Sequence, residues 1–178
     1  ADLCTSTEIR RAQPFIFQRA MKNYKILFVC LGNICRSPMA EYVLRHQALQ
    51  AGVTDRISAD SAGTSGWHDG EDMHRGTRKV LAQHGINHSG FTSSKVRKTD
   101  GSFYDFIIAM DDNNLNELER LFGRHPEKIF KLTDLIPESG YQAVPDPWYT
   151  GDFDETFRLV DAGCKALLHK LGLSGYKD

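Results

Sequence analysis

The chain has 178 residues, 40% of them hydrophobic and 25% charged, and a net charge of −1. Those proportions suit a globular protein that buries a core without disulfide staples, and they exclude a large basic field for nucleic acid. No apolar run reaches the ~18 residues of a membrane span, and cysteines at 4, 30, 35 and 164 are too few and too scattered for a disulfide framework or a four-ligand zinc site. The expectation is a soluble, cytoplasmic protein with no nucleic-acid or membrane partner.

Residues 1–20 carry neither a helical nor a strand period, and Met21 follows them at once. They are expected to be an added or unstructured extension, with 21–178 as the folded domain. Ile26 to Val29 is a short continuous apolar run, as in a buried parallel strand. A loop from Cys30 to Arg36 leads into a helix, with Ser37 as the expected N-cap and Pro38 at the first helical position. Met39, Tyr42, Val43, His46 and Leu49 predict its apolar face.

Arg56 to Ala62 reads as a second strand, Gly63 to Asp72 as a loop and Gly76 to His84 as a helix stopped by Gly85. Phe103 to Met110 reads as a third strand. Asp111 to Phe122 is a helix with Leu115, Leu118 and Phe122 on one face, and Lys128 to Leu132 is a short fourth strand. A loop with three prolines runs from Pro137 to Gly151, and loops that long are often functional. Phe157, Val160, Cys164, Leu167 and Leu171 mark a last helix over 154–171. The alternation predicts an α/β domain: a four-stranded parallel twisted sheet with helices on both faces, flavodoxin-like in plan.

Ligands of open parallel sheets bind beyond the carboxyl ends of the strands. The first such turn reads Val29-Cys30-Leu31-Gly32-Asn33-Ile34-Cys35-Arg36-Ser37-Pro38. Loop and helix N-terminal N–H groups suit an anion there, and an arginine grips two phosphate oxygens at once. A field of that sign favours a thiolate, and a cysteine beneath a bound phosphoryl group is placed for attack on phosphorus. Gly32 and Asn33 tolerate the left-handed backbone of such a cradle. No Gly-Lys-Ser/Thr follows, so the loop is not of the nucleotide-binding kind. By residue type alone, Cys30 reads equally as an inert core thiol and Arg36 as a surface charge.

The stretch VCLGNICRSP resembles the signature loop of the low-molecular-weight protein tyrosine phosphatases. A second mark, Asp146-Pro147-Trp148-Tyr149 ahead of the last helix, matches that family in order and spacing. The resemblance implies that Cys30 is the nucleophile of a cysteinyl-phosphate intermediate and that Arg36 binds phosphate and stabilises the transition state. It implies that Asp146 is the general acid and then the base, and that Ser37 hydrogen-bonds the Cys30 sulfur. It also implies that Asn33 is left-handed and tied to Ser37, Ser61 and His84. Cys35 is the family's second loop cysteine, able to pair with Cys30 in a protective disulfide. Leu31, Gly32, Asn33, Ile34 and Cys35 would cradle the phosphate, and Leu31, Ile34, Trp67, Trp148 and Tyr149 would wall the slot. Many relatives have tyrosine where Trp148 stands.

The implied substrates are phosphotyrosine proteins, peptides and small aryl phosphates, with inorganic phosphate or similar oxyanions as product or inhibitor. No cofactor, no metal and a monomer with at most weak self-association are expected. Three other readings are weighed. A protein-arginine phosphatase shares the loop, but relatives of that type carry threonine where Ile34 stands. A thiol-coupled arsenate reductase needs further relay cysteines, and none lies between Cys35 and Cys164. A silent phosphate-binding module would not need Cys30, Arg36, Ser37 and Asp146 together. His68, Asp69, Glu71, Asp72 and His74 read as a solvated polar loop rather than a metal site, and Cys164 as core.

Overall fold

The computed structural model describes residues 22–175, so the expected extension over 1–20 lies outside the described residues. Strand β1 (Tyr24–Cys30) is the centre of the fold. Ile26, Phe28 and Cys30 enter one apolar cluster, and Leu27 and Val29 enter another. That is the two-residue period of a strand covered on both faces, which is why the sequence reads as a continuous apolar run.

Next come α1 (Arg36–Ala51), β2 (Ile57–Gly63), α2 (Arg75–Gln83), α3 (Asp100–Phe103), β3 (Phe106–Ala109), α4 (Asp112–Phe122) and β4 (Ile129–Lys131). Two 3-10 turns, Leu132–Leu135 and Pro137–Ser139, precede α5 (Pro147–Thr150) and α6 (Phe153–Lys170). The sheet order is β2-β1-β3-β4, with every pair parallel. The α/β expectation holds. Residues of α1, α2 and α6, among them Met39, Val43, Leu81, Val160, Cys164 and Leu167, pack with Ile26 and Phe28 on one face. Leu118 of α4, with Leu115 and Phe122 beside it, covers Leu27 and Val29 on the other. The chain leaves β1 for β2, then returns past it to β3. The carboxyl ends of β1 and β3 therefore flank the crevice where such sheets bind ligands.

Four local expectations are corrected. The third strand begins at Phe106, because Asp100–Phe103 forms a short helix whose Asp100 carboxylate accepts from the Arg97 amide at 2.7 Å. Its β1 partners run only from Ile26 to Val29. Helix α1 is capped by the backbone of Cys35, not by Ser37, which lies inside the helix with its hydroxyl turned to the preceding loop. Leu49 is exposed, because Leu44 and Ala48 take the inward positions instead. The loop after Pro137 contains the single helical turn α5, started by the Asp146 carboxylate accepting from the Trp148 amide at 3.0 Å.

Candidate active site

The loop from Cys30 to Arg36 joins β1 to α1 and is buried except at its lip, Leu31 and Gly32. Asn33 has φ 54, the one non-glycine residue with positive φ among the described residues. Side-chain bonds hold that strained backbone. Asn33 Oδ1 accepts from the Ser94 amide at 2.9 Å, which fixes the orientation of the side-chain amide. Its Nδ2 then donates to Ser37 Oγ and to Ser61 Oγ, both at 2.9 Å. Ser37 Oγ lies 2.9 Å from Cys30 Sγ.

His84 is not part of this network. It is exposed and stacks on Phe157 with ring centroids 3.8 Å apart. Ser94, brought in by the segment after α2, takes the third place around Asn33. The helix-end position that suits His84 electrostatically is far along α2 from the loop, so the sequence resemblance misassigned it.

The loop is braced from both sides. Thr64 and Ser65 donate their amides to the carbonyls of Cys30 and Leu31, each at 2.9 Å, which carries the β2 edge past the end of the strand. From the other side, the His74 amide donates to Ile34 O at 2.7 Å and Thr77 Oγ1 to Cys35 O at 3.1 Å. A Cβ on Gly63 would stand 2.9 Å from the carbonyl oxygens of Leu31 and Ser65. Only glycine lets β2 end so close to the loop.

Arg36 is 2% exposed. Its Nη1 donates to Asp111 Oδ2 at 2.8 Å and to Val144 O at 2.9 Å, while Nη2 lies 3.5 Å from Asp146 Oδ2. One edge of the guanidinium is thus anchored at the carboxyl end of β3. A buried guanidinium stays charged and needs such partners. Asp111 also caps α4, its Oδ1 accepting from the Asn114 amide at 2.8 Å.

Cys30, Leu31, Gly32, Ile34, Cys35, Arg36, Trp67, His68, Asp146, Trp148 and Tyr149 line one pocket. Ten of these were expected from the sequence. Asn33, within the loop, and Ser37 and Ser61 are not among the residues that line the pocket. Trp67, Trp148 and Tyr149 are exposed at its mouth. Trp148 is bracketed by His68, at 6.1 Å between ring centroids, and by His74 at 5.7 Å. Burial, with Arg75 and Arg78 nearby, lowers the pKa of His74. That suits its Nδ1, which accepts from the Gly76 amide at 2.9 Å as the cap of α2.

Cys35 is buried, and its thiol is pushed up to about 12 by burial first and then by Cys30 and Asp146. It is a neutral thiol at neutral pH. Burial also pushes the Cys164 thiol up, and this side chain packs in the core as expected. Among the described residues, no three histidine, cysteine or carboxylate side chains are grouped to hold a metal ion. The acidic loop is dispersed instead: His68 pairs with Glu71, and Asp72 with Arg78. Among the described residues no helix is long and apolar enough to cross a membrane.

Sequence reasoning missed Asp111, His68, Gly63 and Ser94. Asp111 had a usable signal, since it follows the strand that neighbours β1. The others became visible only through contacts across the fold.

The sequence model described as "Low molecular weight phosphotyrosine protein phosphatase" matches residues 25–175. The chain belongs to that family. Its relatives include the low molecular weight protein-tyrosine-phosphatase YfkJ of Bacillus subtilis, 44% identical over 144 residues that span 80% of this chain and 92% of that protein. The crystal structure of YfkJ superposes with a TM-score of 0.82 at 42% identity, covering 85% of this chain and 96% of the other. The Drosophila arginine phosphatase DARP superposes with a TM-score of 0.75 at 31% identity, covering 82% and 96%. The low-molecular-weight phosphatase fold and a phosphoric monoester hydrolase activity follow for this chain.

Proposed function

We propose that this phosphatase hydrolyses phosphotyrosine through a cysteinyl-phosphate. The Cys30 sulfur attacks phosphorus as the P–O bond to the phenol breaks, and Asp146 gives its proton to the departing oxygen. A phenol has a pKa near 10, so it leaves poorly at neutral pH without that proton. Asp146 then takes a proton from water, whose oxygen attacks phosphorus. The S–P bond breaks and inorganic phosphate leaves. Throughout, Arg36 and the loop N–H groups face the phosphoryl oxygens, where charge builds in the transition state.

The observation that carries this reading is the convergence of Cys30, Arg36 and Asp146 in one aromatic-walled slot. Ile34, 9% exposed, contributes an apolar wall. Trp67, Trp148 and Tyr149 offer flat surfaces to a phenyl ring. A second reading, protein-arginine phosphatase, is favoured by the likeness to DARP. A guanidinium would meet those same apolar walls with its polar edges unpaired, which favours phenyl phosphate.

Side-by-side assays on phosphotyrosine, phosphoserine and phosphoarginine peptides test the assignment. Phosphotyrosine is expected to give the highest kcat/KM. A higher value for phosphoarginine would replace the first reading with the second.

A further inference from the structure

Two walls of the slot come from distant parts of the chain. Ile34 belongs to the loop after β1 and Trp148 to the single turn α5. Trp148 is 56% exposed, so little protein lies against its ring. What holds that ring at its distance from Ile34 therefore matters to the width of the slot.

His74 reaches both walls and is not itself among the residues that line the slot. Its amide donates to Ile34 O at 2.7 Å. Its ring stands nearly perpendicular to Trp148, with centroids 5.7 Å apart and planes at 79°. The same ring is held on two further sides. Nδ1 accepts from the Gly76 amide at 2.9 Å, which caps α2. One face stacks on Phe153, with centroids 5.0 Å apart and planes at 21°. Phe153 in turn lies over the first turn of α2, where a Cβ on Gly76 would collide with its ring. A hydrogen bond and a stack together leave an imidazole little rotational freedom. Burial and the Arg75 and Arg78 charges hold His74 below the usual histidine range. At neutral pH Nδ1 thus keeps the lone pair that the Gly76 amide needs.

Trp148 has a second ring neighbour, His68, at 6.1 Å and tilted by 52°. The partner of that imidazole is Glu71, an exposed carboxylate. The Trp148 amide donates to Asp146 Oδ1 at 3.0 Å, which fixes the backbone of α5 and leaves the indole free to turn. Of the two ring neighbours, His74 is the one tied into α2 and α6.

We propose that His74 is a positioning residue for specificity: its ring is a spacer that sets how far the Trp148 wall stands from the Ile34 wall, so that the slot admits a flat ring in preference to a thicker group. The proposal rests on the reading of the slot as a phenyl site. The two properties of the side chain can be separated. The cap needs an acceptor near the position of Nδ1, which asparagine also supplies. The spacer needs a flat ring, which phenylalanine also supplies.

The test is isothermal titration with benzylphosphonate and with cyclohexylmethylphosphonate. The two carry the same charged group, one on a flat ring and the other on a puckered ring of greater thickness. Neither is hydrolysed, so proton transfer by Asp146 does not enter. The unaltered protein should prefer benzylphosphonate. His74→Asn should keep its Tm and lose about 2–10-fold of that preference, the scale of one aromatic pair. His74→Phe should lower Tm and keep the preference.

A preference unchanged in His74→Asn, or lost equally in both variants, overturns the proposal. If one variant does not fold, the other decides. An unaltered protein that binds both phosphonates equally would refute the phenyl site itself, and the spacer with it. A preference that is present and indifferent to His74 refutes the spacer alone.

Discussion

Arg36 and Asp111 stand 75 residues apart in sequence and meet at 2.8 Å, Nη1 to Oδ2. The pair ties the loop after β1 to the carboxyl end of β3. Asp111 simultaneously caps α4. Replacing Asp111 by alanine should therefore cost twice. Loss of the cap destabilises by about 1 kcal/mol. An unanchored guanidinium should lower kcat by about 100-fold, the scale of a 1 Å misplacement. Thermal unfolding and aryl phosphate kinetics measure the two effects. A variant with lowered Tm and unchanged kcat would show that Arg36 needs only Val144 O to hold it.

Cys30→Ser should abolish aryl phosphate turnover while inorganic phosphate or vanadate still binds, because Arg36 and the loop amides remain. Isothermal titration of the variant checks the binding, and steady-state kinetics the turnover. Retained turnover removes Cys30 from the nucleophile's role.

Asp146→Ala should act through the leaving group. With a poor phenolic leaving group the loss should be about 10²–10⁴-fold, the range for a positioned acid. With a strongly activated leaving group it should be small. A leaving-group series on the variant gives the slope. An equal loss across the series means that Asp146 mainly orients Arg36 and α5, rather than delivering the proton.

Gly63→Ala tests the backbone approach at the end of β2. The added Cβ would stand 2.9 Å from two backbone carbonyl oxygens, Leu31 and Ser65, and neither can move without disturbing the loop. We expect a loss of about 1–3 kcal/mol of stability together with lower kcat, as for other overpacked sites. Chemical denaturation and kinetics on the same preparation check both.

Burial of Glu41 also predicts a pH dependence of stability. The carboxyl rises from 4.5 unfolded to about 7 folded, so the folded state holds its proton more tightly. This contribution is fully present below pH 4.5 and is lost as pH rises through 7. Glu41→Gln should remove it. Urea unfolding at intervals from pH 4 to 8 should then show a flatter curve for the variant than for the unaltered chain. Parallel curves would mean that Glu41 does not titrate in that window.

The sequence by itself determined the order of the four strands and the longer helices, and most of the slot. Local signals suffice for these: the apolar run before Cys30, the spacing of Cys30 and Arg36, the Asp146-Pro147 pair and the helical period up to Leu171. Each reports on neighbours in the chain, and strand and helix periods are local properties. It placed Ser37 correctly beside the sulfur by resemblance, yet by capping preference made it the start of α1. The hydroxyl turned instead to a buried thiol and an amide it could not reach in an isolated helix.

Beyond Ser37 and Ser61, which the resemblance implied, only the tertiary structure decided which residues hold the loop. Asn33 meets Ser61 across 28 residues and Ser94 across 61, and no periodicity encodes such a meeting. Two parallel pairings, β1 with β2 and β1 with β3, bring Ser61 and Asp111 to one end of the sheet. His84 shows the converse. The resemblance implied that it ties to Asn33, but the fold turned it onto Phe157. The proposed roles of Cys30 and Arg36 were legible because both lie within ten consecutive residues. The loop's support was legible only in part, through the resemblance that implied Ser37 and Ser61 but not Ser94 or Asp111, because buried polar groups find partners wherever the chain returns, and burial requires only that they find them.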